Sequence, residues 1–519
     1  LAEGAPDASR IVGAAKLTGR LGSGTAVGGL LARTGEAVGR TDESGGTAPV
    51  VAPGTSFMVG RVLQEFGEPG SSAGALLTAV HRDLAPGSPL ATQLAETALT
   101  GGVDWTVRFG EGQYEVAGHA GGSFVRGDPV AITNIQKSSA HYFQRPDAGH
   151  VQVDESLTSL SGYTAGLSVE KLTGHTWMWG MRAAVESPGF EIRDLGMFRA
   201  GDHVDASATL RYRHLTNQLF RWFWVTASAN ASWNFEGIAQ FLSPSVYFSS
   251  ELHNFWRTYV RLSYEAPVVS DDLTRGGPLM EMPPAWGASV GLLSPFNATT
   301  QWSVSGTYRS DEFGGRSYNV DGGLSFRPEP RVGVSLYPGF HQSVFTRQSY
   351  GAWPDGRPET YGVRYMFASI ERNEAYAQLR MDLSLTPDFG IELYVEPFVA
   401  TGRYYDFGEL AEPGTGNLLL YGADGSQLTV YEDGSFFAED DWGSVYVRNP
   451  DYSVTSMRSN AVLRWEWRRG STFHLIWQQN RWSSLSGVEP FGPGALFDTF
   501  GGTGDHILTA KLTYRLGVR

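Results

Sequence analysis

Along most of this chain apolar and polar residues alternate one by one, in short runs separated by turns. In residues 377–386, Ala377, Leu379, Met381, Leu383 and Leu385 fall on one side and Gln378, Arg380, Asp382, Ser384 and Thr386 on the other. Residues 204–213 set Val204, Ala206, Ala208, Leu210 and Tyr212 against Asp205, Ser207, Thr209, Arg211 and Arg213. Residues 224–233, 461–468 and 508–516 follow the same rule. Side chains point to opposite faces of a strand in turn, so each run is a strand with one face fit for an apolar medium and one for water. One such strand suits a soluble sandwich equally well. Sustained from about residue 9 to residue 517, the pattern predicts an all-β fold, a large antiparallel transmembrane β-barrel of about 20–22 strands filling residues 1–519 as a single domain.

The connections give a second signal, because outer-membrane barrels have short periplasmic turns and long external loops. Counted back from the C-terminus, residues 487–503, 406–454, 349–360, 267–285 and 126–161 are long. Between them lie Arg469-Gly470, Thr386 to Phe389, Arg327 to Pro330, Leu252 to Asn254 and Gly110 to Gly112, all short. This count gives about 21 strands, with residues 360–386 forming one long strand or two. Bacterial single-chain barrels have even numbers, so one strand before Leu1 is expected, and the loop-like opening from Leu1 to Pro6 points the same way. Aromatics such as Trp222, Trp224, Trp233, Tyr247, Trp256, Trp465, Trp467, Trp477 and Tyr514 fall near strand ends or on apolar faces, where a membrane interface holds them. Trp353 and Trp442 are read as loop aromatics.

Composition narrows the picture. Mean hydropathy is −0.22, which a barrel tolerates because only alternate residues meet lipid. No run of about 18 apolar residues exists to form a spanning helix. The net charge of −14 makes nucleic acid an unfavourable partner. With no Cys there is no disulfide framework and no thiolate metal site. No Walker loop, HExxH, nucleophile elbow or EF-hand loop is present. Asp271-Asp272 and Glu439-Asp440-Asp441 offer oxygen ligands for calcium, or are simply solvated acidic loops. No cofactor and no enzymatic activity are expected.

The polar face is the candidate functional surface. Its inward set is Arg211, Arg213, Arg261, Arg309, Arg380, Asp382, Glu392, Glu396, Arg464, Glu466, Lys511 and Arg515. Charges of both signs either tune passage of a polar solute or pair to hold structure. Residues 126–161 form a candidate plug or loop insert. Within them 128–141 reads as a short helix with Asp128 as N-cap and Pro129 in the first turn, and with Val130, Ile132 and Ile135 able to pack on a wall.

Several motifs carry a family resemblance. They are Ile11 to Arg20, Tyr142-Phe143-Gln144-Arg145-Pro146-Asp147, Ser159-Leu160-Ser161-Gly162, and Ser187-Pro188-Gly189-Phe190-Glu191 with Asp194-Leu195-Gly196. Thr274 to Pro278 and Pro397 to Tyr404 complete the series. In this order they resemble a large family of uncharacterised outer-membrane proteins in which a carbohydrate-binding family 9 (DOMON-like) module precedes a β-barrel. The resemblance covers nearly the whole chain and implies a bacterial outer-membrane location. The sugar-binding module is absent from these residues, and the ending Leu516-Gly517-Val518-Arg519 lacks the usual terminal aromatic. Two roles are then open. One is a channel or transporter for polar solutes such as saccharides. The other is a non-conducting scaffold that anchors a periplasmic carbohydrate-binding module or joins an envelope complex. The partners implied are outer-membrane lipid and lipopolysaccharide, a saccharide ligand and envelope proteins.

Overall fold

The computed structural model describes residues 9–39, 49–489, 491, 492 and 494–515. Almost every element is an antiparallel strand, and 22 strands belong to one sheet. The fold is all-β, a large antiparallel sheet of the transmembrane-barrel class. One of the 22 is Leu418–Leu420, a three-residue strand on the end of Phe389–Leu410. Setting it aside leaves 21, the number the pattern predicts. The opening from Leu1 to Pro6 and the ending from Leu516 lie outside the described residues.

The alternating runs lie inside observed strands: His203–Leu215, Phe220–Trp233, Val363–Thr386, Tyr452–Arg468 and Gly504–Thr513. Residues 360–386 contribute one strand rather than two, Val363–Thr386. The first half of the expected long loop at 349–360 is strand, because Val332–Pro354 continues its ladder to Trp353↔Arg364 and Pro354↔Val363. Bulges between Phe345 and Gln348 and between Ser349 and Gly351 absorb the extra twist. Trp353 therefore ends a strand, where its ring stacks on Tyr350 at 6.0 Å. Val363–Thr386 has 24 residues, whereas about 9–11 tilted residues cross a bilayer. Roughly half of this hairpin is thus left to stand clear of any hydrocarbon layer.

The chain falls into two compact units, one comprising Leu1–Tyr212, Ala227–Pro244 and Val268–Met282, and the other the remainder. In the first, strands Thr55–Glu65, Ser72–Arg82, Thr97–Phe109, Tyr114–Arg126 and Ser159–Lys171 pair in sequence. Leu99 and Val103 are exposed on one face, while Thr100 and Asp104 share the other with Ala98. In the second unit, Val290, Val304, Val320 and Leu324 are all exposed. Val290 lies opposite Gly306, and Gly306 opposite Val320. The alternate positions Ser289, Thr307 and Asn319 form a polar row across the same strands. A sheet that leaves one continuous face of large apolar side chains uncovered is stable only if that face meets an apolar medium.

The long region after Phe389–Leu410 folds into a small sheet of its own, made of Gln427–Val430, Phe436–Asp440 and Gly443–Val447. Its inner face (Phe436, Ala438, Val445 and Val447) is buried with Met366 and Tyr421. This core is separate from the apolar face.

Alternation sets the cost of a new charge. Val320→Lys is expected to destabilise the protein in lipid vesicles by about 2–4 kcal/mol, and Asn319→Lys by less than about 1 kcal/mol, in reversible denaturant titrations. Equal costs would contradict the assignment of faces.

Candidate functional site

The twelve charged residues read as inward-facing all lie on or beside described strands, but they do not form one cluster. Arg309 binds Glu265 at 2.6 Å and Asp311 at 3.3 Å. Arg464 reaches Glu466 at 3.3 Å. Arg380 lies over the Tyr394 ring at 5.3 Å, and the Tyr394 hydroxyl donates to Glu396. Arg261 lies over the Tyr247 ring at 5.2 Å, so Tyr247 stands with a guanidinium rather than against lipid. Asp382 sits directly opposite Glu392 and Lys511 opposite His474. The Arg515 backbone N–H donates to Ser471 Oγ at 3.1 Å. Arg211 faces Met178 in the ladder, and Arg213 follows two residues later on the same strand. The sequence reading missed further pairs in the first unit, among them Arg61 with Asp104 and Arg82 with Asp194. The same alternation marks Arg61 and Asp104, had it been followed into the N-terminal strands. A partly exposed pair such as Arg61–Asp104 adds at most about 1 kcal/mol. Such pairs set the charge pattern of the face more than its stability.

The segment 126–161 is anchored to this polar face. Its helix runs Pro129–Gln136, shorter than the 128–141 expected, with Asp128 as N-cap accepting from the Val130 N–H at 2.9 Å and Pro129 in the first turn. Ile132 is fully buried, and Ile135 packs beside it. Val130, expected on the wall, is exposed instead. Phe57, Val80, Ala98, Val125 and Leu160 lie in one cross-strand row, Phe57↔Val80↔Ala98↔Val125↔Leu160. That row holds Ile132, Phe143, Ala148 and Val151 in one apolar cluster. Ala98 shares its face with Asp104, so the segment covers the water-facing side at one end of these strands.

On the segment's other side the motif residues meet. His141 has its Nδ1 2.7 Å from the Pro188 carbonyl and its Nε2 3.1 Å from Glu191. Arg145, almost wholly buried, binds Asp271 at 3.1 Å and lies 3.5 Å from Asp147. Asp147 in turn accepts from the Leu279 N–H at 2.5 Å. His150 lies 2.7 Å from Asp202 and 3.4 Å from Glu236. Strand Ser159–Lys171 is crossed closely by the 187–190 turn. A Cβ on Gly162 would overlap the Phe190 backbone, so only glycine fits there. The motifs at 142–147, 159–162, 187–196 and 274–278 are thus parts of one packed loop cluster, whereas Ile11 to Arg20 and Pro397 to Tyr404 lie in strands outside it.

Electrostatics inside the cluster are finely opposed. Burial pushes the Glu191 carboxyl up, but hydrogen bonds from His141 and Arg193 outweigh it and hold the group at about 2. Burial pushes Asp271 up in the face of Arg145 and Asn234, with Asp202 and Asp272 adding to the rise. Three carboxylates of the acidic runs considered as calcium sites are committed elsewhere. Asp271 is held by Arg145, Asp272 accepts from Ser270 Oγ at 2.6 Å, and Asp440 takes two bonds from buried Arg364 at 2.7 and 2.9 Å. Among the described residues no cluster of His and carboxylate side chains is arranged to hold a metal ion.

With this geometry in view, comparison with known proteins yields one family. A domain of unknown function, DUF5916, matches residues 2–518. The chain belongs to this family. The match carries no carbohydrate-binding module. No curated protein matches the sequence. Among solved structures the DUF5916 chain is similar to an anion-selective porin from Comamonas acidovorans, at 10% identity and TM-score 0.27, over 65% of this chain and 92% of the porin. It is also similar to the siderophore receptor PirA from Acinetobacter baumannii, at 9% identity and TM-score 0.34, over 89% and 76% of the two chains.

Two tests follow for the cluster. Arg145→Met leaves Asp271 and Asp147 facing each other without their cation. It is expected to destabilise the loops by about 3–5 kcal/mol, seen as faster amide exchange across 126–161, with Arg145→Met/Asp271→Leu recovering much of the loss. Because the folded pKa of Glu191 is depressed, its stabilisation is full above about pH 4.5 and is lost as pH falls towards 2. Proteolytic resistance of the cluster should decline through that window, and Glu191→Gln should remove that part of the pH dependence.

Proposed function

We propose that this DUF5916 chain is a barrel of the bacterial outer membrane that passes polar solutes. In this reading the long connections lie outside the cell, the exposed apolar face meets lipid, and the charged face lines the passage. The segment 126–161 narrows the passage. The observation that carries the reading is the packing of that segment onto the charge-bearing face through Ile132 and Phe143. Lipid and lipopolysaccharide are the expected surroundings, and a saccharide is an expected class of solute.

One observation favours a second role. The segment is fixed by a buried apolar row and by buried ion pairs, as a permanent closure would be. A barrel so closed would serve as an anchor for a periplasmic module or as a subunit of an envelope complex.

Planar-bilayer conductance separates the two. The intact chain is expected to give small steady currents. Ile132→Asp, which expels the segment from the apolar row, should raise the unit conductance severalfold. Silence from both proteins would favour the anchor.

A further inference from the structure

On the second unit's polar face, aromatic rings stand where the alternation calls for water-compatible groups. Tyr376 lies opposite Phe398, Phe398 opposite Ser456, and Ser456 opposite Trp482. Residues paired across antiparallel strands point to the same side, so the three rings share one face. It is also the face of Gln378, Arg380 and Glu396, which lie two or four residues along the same strands. Three strand steps span about 14 Å at the usual spacing. Trp482 is 61% exposed. Lipid contact does not explain an exposed indole on this side.

The Tyr376 ring is seated, and polar groups stand beside the row. Tyr376 lies flat across Gly339, where a Cβ would collide with its ring. Its hydroxyl donates to Asp321 at 2.8 Å, which fixes the plane of the ring. The neighbouring row offers Glu396 opposite Arg458, and Arg458 opposite Asn480. Gln378 donates to the Tyr394 hydroxyl at 3.0 Å. A row of aromatic rings edged by amide, carboxylate and guanidinium groups complements a molecule with apolar CH faces and a rim of hydroxyls. Acids and bases both stand beside the rings, so neither charge sign is selected.

Resting on the transport reading above, we infer that Tyr376, Phe398 and Trp482 form a binding platform for a neutral linear saccharide. Sugar rings stack on the aromatic faces, and hydroxyls bond to Gln378, Glu396, Arg458 and Asn480.

The test is calorimetric titration of the full chain, in a detergent without a sugar headgroup, with α-linked and β-linked linear glucose hexamers. Saturable binding of at least one hexamer is expected. Trp482→Leu should weaken it about tenfold, a loss the size of one stacked ring. Trp482→Tyr should retain it within about threefold, since the stacking face survives. Absence of saturable binding by either hexamer up to the millimolar range would overturn the platform, as would equal affinity in the wild type and Trp482→Leu. Conductance measured in parallel keeps the two claims apart. A conducting protein that binds neither hexamer loses the platform and keeps the transport reading. A silent protein that binds with the expected variant pattern keeps the platform and loses passage.

Discussion

The organising constraint is that a strand exposes its two faces to two different media. Backbone N–H and C=O groups in an apolar medium must all be satisfied within the structure, and in a strand the neighbouring strands do this. Among the described residues no helix is long and apolar enough to cross a membrane, and the long antiparallel sheet meets that need. Once the ladder is laid down, parity decides each side chain's fate. Val290 and Val320 go to one medium, Ser289 and Asn319 to the other. The paired charges, the anchored segment and the aromatic row all sit where this division places them.

Beyond the bilayer-length part of the strands the rule relaxes, and different physics takes over. The long hairpins around Val363–Thr386 bury residues on both sides, including Met366, Phe367 and Ala368. They also hold Arg364 between Glu409 and Asp440. In the first unit, the segment after Tyr114–Arg126 combines an apolar cluster with buried ion pairs. Breaking one partner of such a pair costs far more than the pair contributes. The loop cluster is therefore specific in geometry without its charges being its main source of stability.

What was legible in the sequence follows from these two regimes. Period-two runs such as 204–213 and 377–386 are local, so strand identity and face could be read directly. The N-cap Asp128 and Pro129 are likewise local signals, and both hold. The connections of Asp147 to Leu279 and of His150 to Asp202 span 132 and 52 positions, and nothing in either segment names its partner. Helix length failed for the same reason: past Gln136 the chain is held by contacts distant in sequence, the Gln136 side chain with the Asp154 backbone and Phe143 in the apolar cluster. Tyr247 was misplaced because aromatic residues suit both a lipid interface and a guanidinium, and only the register separates them.

The chain's lack of cysteine permits one direct measurement of the division itself. Single cysteines can be placed at 302 to 307 along strand Thr300–Asp311 in protein reconstituted into vesicles. Each is then scored for modification by a charged, membrane-impermeant thiol reagent and for contact with a lipid-borne spin label. The account predicts strict alternation, with Ser303→Cys, Ser305→Cys and Thr307→Cys modified from water. Trp302→Cys and Val304→Cys should be shielded and in contact with lipid. Modification of both sets alike, with no lipid contact at either, would contradict it.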